Sequence, residues 1–120
     1  MNYEVILNKL SKSKFRSSFH LRKYMIDYID KLGMNTIRRH AYDLMIPRIK
    51  KYDKNKDGKQ TPMKNHPVFI AMHACGICCR GCLEKWYGIN KNKELTEEEI
   101  DHLVNIVCLW IEKEYQKKNI

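Results

Sequence analysis

No stretch of this chain is apolar for long enough to cross a bilayer. No segment shows a convincing two-residue alternation, so no sheet is expected. Glycine and proline are scarce, at five and three residues, which excludes collagen-like and low-complexity architectures. Met1 to Leu10 lack both a long apolar core and a small-residue cleavage site, so no secretory signal is expected. There is no Ser/His/Asp triad, no P-loop and no Gly-rich dinucleotide fingerprint. Acid is in short supply beside base: 14 Asp and Glu against 23 Lys and Arg leave a net charge of +9. That surplus favours acidic partners such as nucleic acid, anionic lipid or an acidic protein, or serves only as a soluble, lysine-rich surface.

What is present is concentrated in one place. The run His73-Ala74-Cys75-Gly76-Ile77-Cys78-Cys79-Arg80-Gly81-Cys82 holds four of the five cysteines, in two abutting C-x-x-C pairs, with His66 upstream. Thiolates and imidazoles are the ligands that zinc takes, and iron too, so a bound zinc is expected, with iron the alternative. Cys79 and Cys82 form the first pair of a knuckle, with Gly81 easing the turn. Adjacent side chains diverge, so the remaining ligands are sought at His66 and His73, with His40, Cys75 and Cys78 as further candidates. Buried free cysteines also pack as small hydrophobes, and a redox dithiol is a third reading. Thiols this crowded, in an odd total, fit a reducing, cytoplasmic setting better than a secreted disulfide framework.

With 120 residues there is room for a single domain, residues 1–120, and its patterning is mainly helical. Leu21, Tyr24, Met25, Tyr28, Ile29 and Leu32 make one helical stripe, which Gly33 should stop. Asn35 is expected to cap the next helix, with His40 beside its stripe, and Pro47 to kink or end it near Met45. Residues 52–66 read as a long polar loop. Pro67 suits the first turn of a helix, Gly76 and Gly81 should break the cysteine run into short helices, and Gly88 should stop the second. Thr96-Glu97-Glu98-Glu99 is a capping box that opens the last helix, which should be the central core element.

Two further patterns carry weaker chemistry. Asp53-Lys54-Asn55-Lys56-Asp57-Gly58 imitates the start of an EF-hand, but Lys64 stands where the closing glutamate belongs, so no calcium site is expected. Ser17 to Arg22 place hydroxyls, an imidazole and a guanidinium at a helix start, where phosphate or a simple cap would be at home. Arg16, Arg22, Lys59 and Arg80 are the expected phosphate contacts.

The blocks Phe15–Arg22, Asp57–Met63, His66–Phe69 and Cys78–Trp86 together resemble a small bacterial family known only as a domain of unknown function, the DUF family numbered 4186. The resemblance runs from about Phe15 to about Trp110. It implies no activity. It implies a histidine after the tryptophan, where this chain has Tyr87, and a threonine where it has Cys75. Function is therefore read from the residues: a small zinc-binding protein, a basic binding module for nucleic acid. Two rivals stand beside it. One is a metal-dependent hydrolase acting on phosphodiesters, with His20, His40 or Asp57 as its base. The other is a protein-interaction protein without metal. The sequence does not specify an oligomeric state.

Overall fold

The computed structural model describes residues 2–118. Among these residues six α-helices carry the fold: α1 (Tyr3–Ser11), α2 (Lys23–Leu32), α3 (Met34–Ile49), α4 (Pro67–Ala74), α5 (Arg80–Tyr87) and α6 (Glu97–Lys118), with one 3-10 turn at Arg16–Ser18. There is no strand among the described residues.

Helix α6 is the central element, as its stripe predicts. Its capping box closes in both directions. The Glu99 N–H donates to Thr96 Oγ1 at 3.1 Å and the Thr96 N–H donates to Glu99 Oε1 at 2.9 Å, satisfying two otherwise orphaned donors. Ile100, Leu103, Val104, Ile106, Val107, Cys108 and Ile111 are all buried along it. Helices α3 and α4 pack on this face. They bring Ile37, Ala41, Met45 and Ile49 from one side and Val68, Ala71 and Met72 from the other.

Two local expectations need correction, and one helix is new. Gly33 both ends α2 and starts α3, at φ +82°, so Asn35 lies inside the helix rather than capping it. Helix α3 continues past Pro47 to Ile49. The proline removes only the bond to the Asp43 carbonyl, and Arg48 Nη1 donates to the neighbouring Leu44 carbonyl at 2.9 Å. Burial of Met45 and Ile49 on either side of the proline holds the last turn in place. Helix α1, which no strong periodicity announces, is capped by Asn2 and tied to α6 through Tyr3, whose hydroxyl meets His102 Nδ1 at 2.8 Å.

Candidate metal centre

The chain reverses sharply between α4 and α5. Helix α4 ends at Ala74, Gly76 adopts φ +70°, and Cys79 is fully extended at φ −159° and ψ 169° as the N-cap of α5. That reversal turns the side chains of neighbouring cysteines toward one point. The Sγ atoms of Cys78, Cys79 and Cys82 all lie within 4.8 Å of one another, the one such group of three metal-type donors found among the described residues. Adjacent cysteines therefore converge here, because the backbone between them is extended at a helix start and not helical. Zn–S bonds of 2.3 Å in a tetrahedron space the sulfurs about 3.8 Å apart, so the cluster needs only small adjustment to hold an ion.

One cation and one anion organise the loop. Arg16, only 8% exposed, donates from Nη1 to Cys78 Sγ at 3.4 Å and to the His73 carbonyl at 2.7 Å, and from Nη2 to Cys82 Sγ at 3.1 Å. The neighbouring Cys82 thiol first of all, then Arg16 against the cost of burial, holds the Cys78 pKa down to about 7. Cys78 and then burial push Cys82 up, and burial pushes Cys79 up to about 11. One thiolate is thus ready at neutral pH, and an ion would have to displace the other two protons.

Asp57 is the anion. Its Oδ1 accepts the Arg80 N–H at 2.8 Å and its Oδ2 the Gly81 N–H at 3.0 Å, while Cys79 Sγ faces the Cys82 N–H at 3.4 Å. The first three amide donors of α5 are therefore occupied by one carboxylate and one sulfur. The polar loop that reads as a failed EF-hand is the clamp of the thiol helix. Gln60 holds Asp57 through Nε2 at 3.0 Å and accepts the Gly58 N–H, and Thr61 Oγ1 donates to the Cys78 carbonyl at 2.7 Å. Burial pushes the Asp57 carboxyl up, but Gln60 and the two amides outweigh it and keep its pKa below 3.8. A depressed carboxyl stabilises the fold fully above its unfolded pKa and loses that contribution as pH falls through its folded value. Asp57→Ala should cost about 1 to 2 kcal/mol at pH 7, the scale of a lost cap. The gap between variant and wild type should narrow below about pH 4 in thermal melts, since only the wild type carries this carboxyl to protonate.

The other expected site residues lie in three settings. His66 caps α4: its Nδ1 accepts the Val68 N–H at 3.0 Å, which places the ring proton on Nε2, facing His40 Nδ1 at 3.1 Å. Burial and then His40 lower the His66 pKa to about 4. With Nδ1 engaged and Nε2 protonated, His66 has no lone pair to offer, and it is not among the thiol cluster. His73 carries its ring proton on the same nitrogen but leaves the other one open. Its Nε2–H is shared by the Thr61 and Pro62 carbonyls at 3.0 and 3.1 Å, leaving the Nδ1 lone pair free, the arrangement that a metal-bound histidine uses. Its ring stacks on Phe19 with centroids 5.4 Å apart. Cys75 is fully buried with its thiol pushed up by burial, and it packs in the core. The Tyr87 hydroxyl donates to the Cys75 carbonyl, so the two positions that depart from the resembled pattern touch.

The phosphate contacts read from sequence divide sharply. Arg22 and Lys59 are exposed, but Arg16 is turned inward onto sulfur and Arg80 is wholly buried. Arg80 Nη1 donates to the Lys50 carbonyl at 3.1 Å and Nη2 to the Asn90 carbonyl at 2.9 Å, with the Ile49 carbonyl also in reach at 3.4 Å. Neither buried guanidinium presents itself to a nucleic-acid backbone. What sequence reasoning missed is the work of Arg16 and Asp57. Each lies more than 20 positions from the thiol it serves, and no local spacing connects them.

Residues 4–112 match the family model described as a domain of unknown function, DUF4186. The chain belongs to this family. No solved structure matches it. The DUF4186 match covers the loop clamp, the thiol reversal and most of α6, so the whole arrangement lies within the shared domain.

Proposed function

We propose that this DUF4186 protein binds one zinc ion through the thiolates of Cys78, Cys79 and Cys82, and that the ion braces the α4–α5 reversal. The observation that carries this reading is the convergence of three sulfurs within 4.8 Å at a capped helix start. Three thiolates on a divalent ion leave one surplus negative charge, and Arg16 already sits on two of the sulfurs to offset it. His73, with its free Nδ1, is the fourth donor we favour from this chain. It needs to move to reach the ion, since it lies outside the group of mutually adjacent donors. Iron fits the same donor set, and elemental analysis separates the two. Protein purified without an affinity tag or added metal should hold about one zinc per chain. Cobalt substitution should give a thiolate charge-transfer band that weakens in Cys79→Ser and shifts in His73→Ala only if the imidazole is a ligand. Metal-free native protein that takes up no cobalt would overturn the reading.

The +9 charge supports a partner of opposite sign, and we take nucleic acid as that partner. With Arg16 and Arg80 internal, the contacts fall to exposed side chains such as Arg22 and Lys59. Mobility-shift assays should show retention of DNA or RNA that falls steeply with salt and weakens in Arg22→Ala with Lys59→Ala. A chain that retains neither at low salt would rule this partner out.

A further inference from the structure

A cavity of about 380 Å³ opens beside the thiol loop, between α1, the Arg16–Ser18 turn and the second half of α6. It is independent of the proposed metal site, yet Arg16 belongs to both. Phe19 and Trp110 supply aromatic surface, and Arg16, His20, Lys113 and Lys117 supply cationic or protonatable groups. The volume lies in the range that small molecules occupy.

The charge inside it is not self-cancelling. Glu114 is 4% exposed and already satisfied: its Oε1 accepts the Leu21 N–H at 3.1 Å and faces His20 Nδ1 at 3.2 Å. This carboxylate anchors the extended segment before α2 and orients the His20 ring, so that Nε2 is the nitrogen left open. Glu4 pairs with Lys113 at 3.1 Å, but the Glu4 side chain is 63% exposed and Lys113 is 45% exposed, so the pair is weak and yields to a better anion. Lys117 is 71% exposed and only 3.5 Å from the already satisfied Glu114. Lys113 and Lys117 lie one turn apart on α6, where both ammonium groups reach the same anion.

We propose that this cavity binds a small phosphorylated molecule with a flat ring system, of nucleoside monophosphate type. The ring stacks against Trp110 and Phe19, and the phosphate meets Lys113, Lys117 and His20 Nε2. Aromatic platforms accept any base by stacking, and lysines grip phosphate as point charges. A free nucleotide and the terminal nucleotide of a strand share this chemistry.

The test is calorimetric titration of the full chain, as purified with its metal content measured, using adenosine monophosphate, adenosine and inorganic phosphate. The monophosphate should bind at least tenfold tighter than either half alone. Lys113→Ala with Lys117→Ala should weaken it at least tenfold, and Trp110→Ala should weaken adenosine and the monophosphate alike. Lys51→Ala with Lys91→Ala, at a separate surface cavity, should leave the affinity unchanged. A single-stranded oligonucleotide carrying a 5′-phosphate, compared with its unphosphorylated form, reports whether a strand end is the source. Preference for the phosphorylated end that depends on Lys113 and Lys117 assigns a strand, and absence of that preference beside tight monophosphate binding assigns the free nucleotide. No binding at millimolar monophosphate, or equal losses in the two lysine pairs, would overturn the proposal. Because the readout does not use the metal, failure here leaves the zinc reading standing, and the reverse holds as well.

Discussion

Removing metal from the purified protein with a chelator should lower its melting temperature by roughly 10 °C. Thiolate zinc sites supply folding free energy directly, and in small fingers they supply nearly all of it. Here most of the core belongs to α3, α4 and α6 and does not depend on the ion. The expected loss is therefore about 3 kcal/mol, confined to the thiol loop and its clamp, and a domain of this size loses roughly 4 °C per kcal/mol. Cys82→Ser should reproduce the shift without chelator, and chelation should then add little to it. Cys75→Ser should behave differently. It should destabilise through an unsatisfied buried hydroxyl while leaving metal content intact. Differential scanning calorimetry with elemental analysis of each variant checks all four results. An unchanged melting temperature after complete metal removal would sink the bracing role.

Arg80→Ala should be the most damaging single substitution outside the thiols, costing about 3 to 5 kcal/mol. Arg80 is fully buried, its Nη atoms bind carbonyls at the end of α3 and in the turn after α5, and among the described residues no carboxylate pairs with its guanidinium. The last carbonyls of α3 carry the negative end of that helix, so the guanidinium is paired with a dipole and not with an ion. Truncation would leave a large cavity and take one donor from each of three carbonyls, with the Lys50 and Asn90 carbonyls keeping only the Leu95 and Lys93 N–H groups. Arg80→Lys should recover little, because an ammonium on a flexible stem does not reproduce the planar fork that spans both Lys50 and Asn90. Urea unfolding at pH 7 measures the loss. A cost under about 1 kcal/mol for Arg80→Ala would mean that the carbonyls find water and that the guanidinium is dispensable.

How much of this was legible beforehand depends on the reach of each interaction. Helix α6 and its box were readable because cap, stripe and charge order are all local. So were Pro67 at the start of α4, the break at Gly76 and the stop at Gly88. The run past Pro47 was not, because burial of Ile49 is a tertiary effect that propensity ignores. The thiol cluster was readable as a place but not as a ligand set: whether Cys78 turns toward Cys79 depends on the extended backbone at Cys79, which Asp57 fixes from the loop. Arg16 and Arg80 looked like surface charge because most arginines are, and only the packing shows what each one neutralises or bridges. His66 looked like a ligand because of its neighbourhood, and its use as a helix cap became visible only through the Val68 N–H.

The three sulfurs lie within five consecutive residues, whereas the helix that organises the core is the last one among the described residues. These two facts separate in time when the protein is made. A chain emerging at its N-terminal end first exposes Cys78 to Cys82, with the Asp57 loop and Arg16, before Glu97 to Lys118 leave the ribosome. Local contacts form early and long-range ones wait for their partners. If the proposed zinc is bound, its three thiolates need none of α6, and a truncated chain ending near Gly88 should already compete for zinc while lacking that helix.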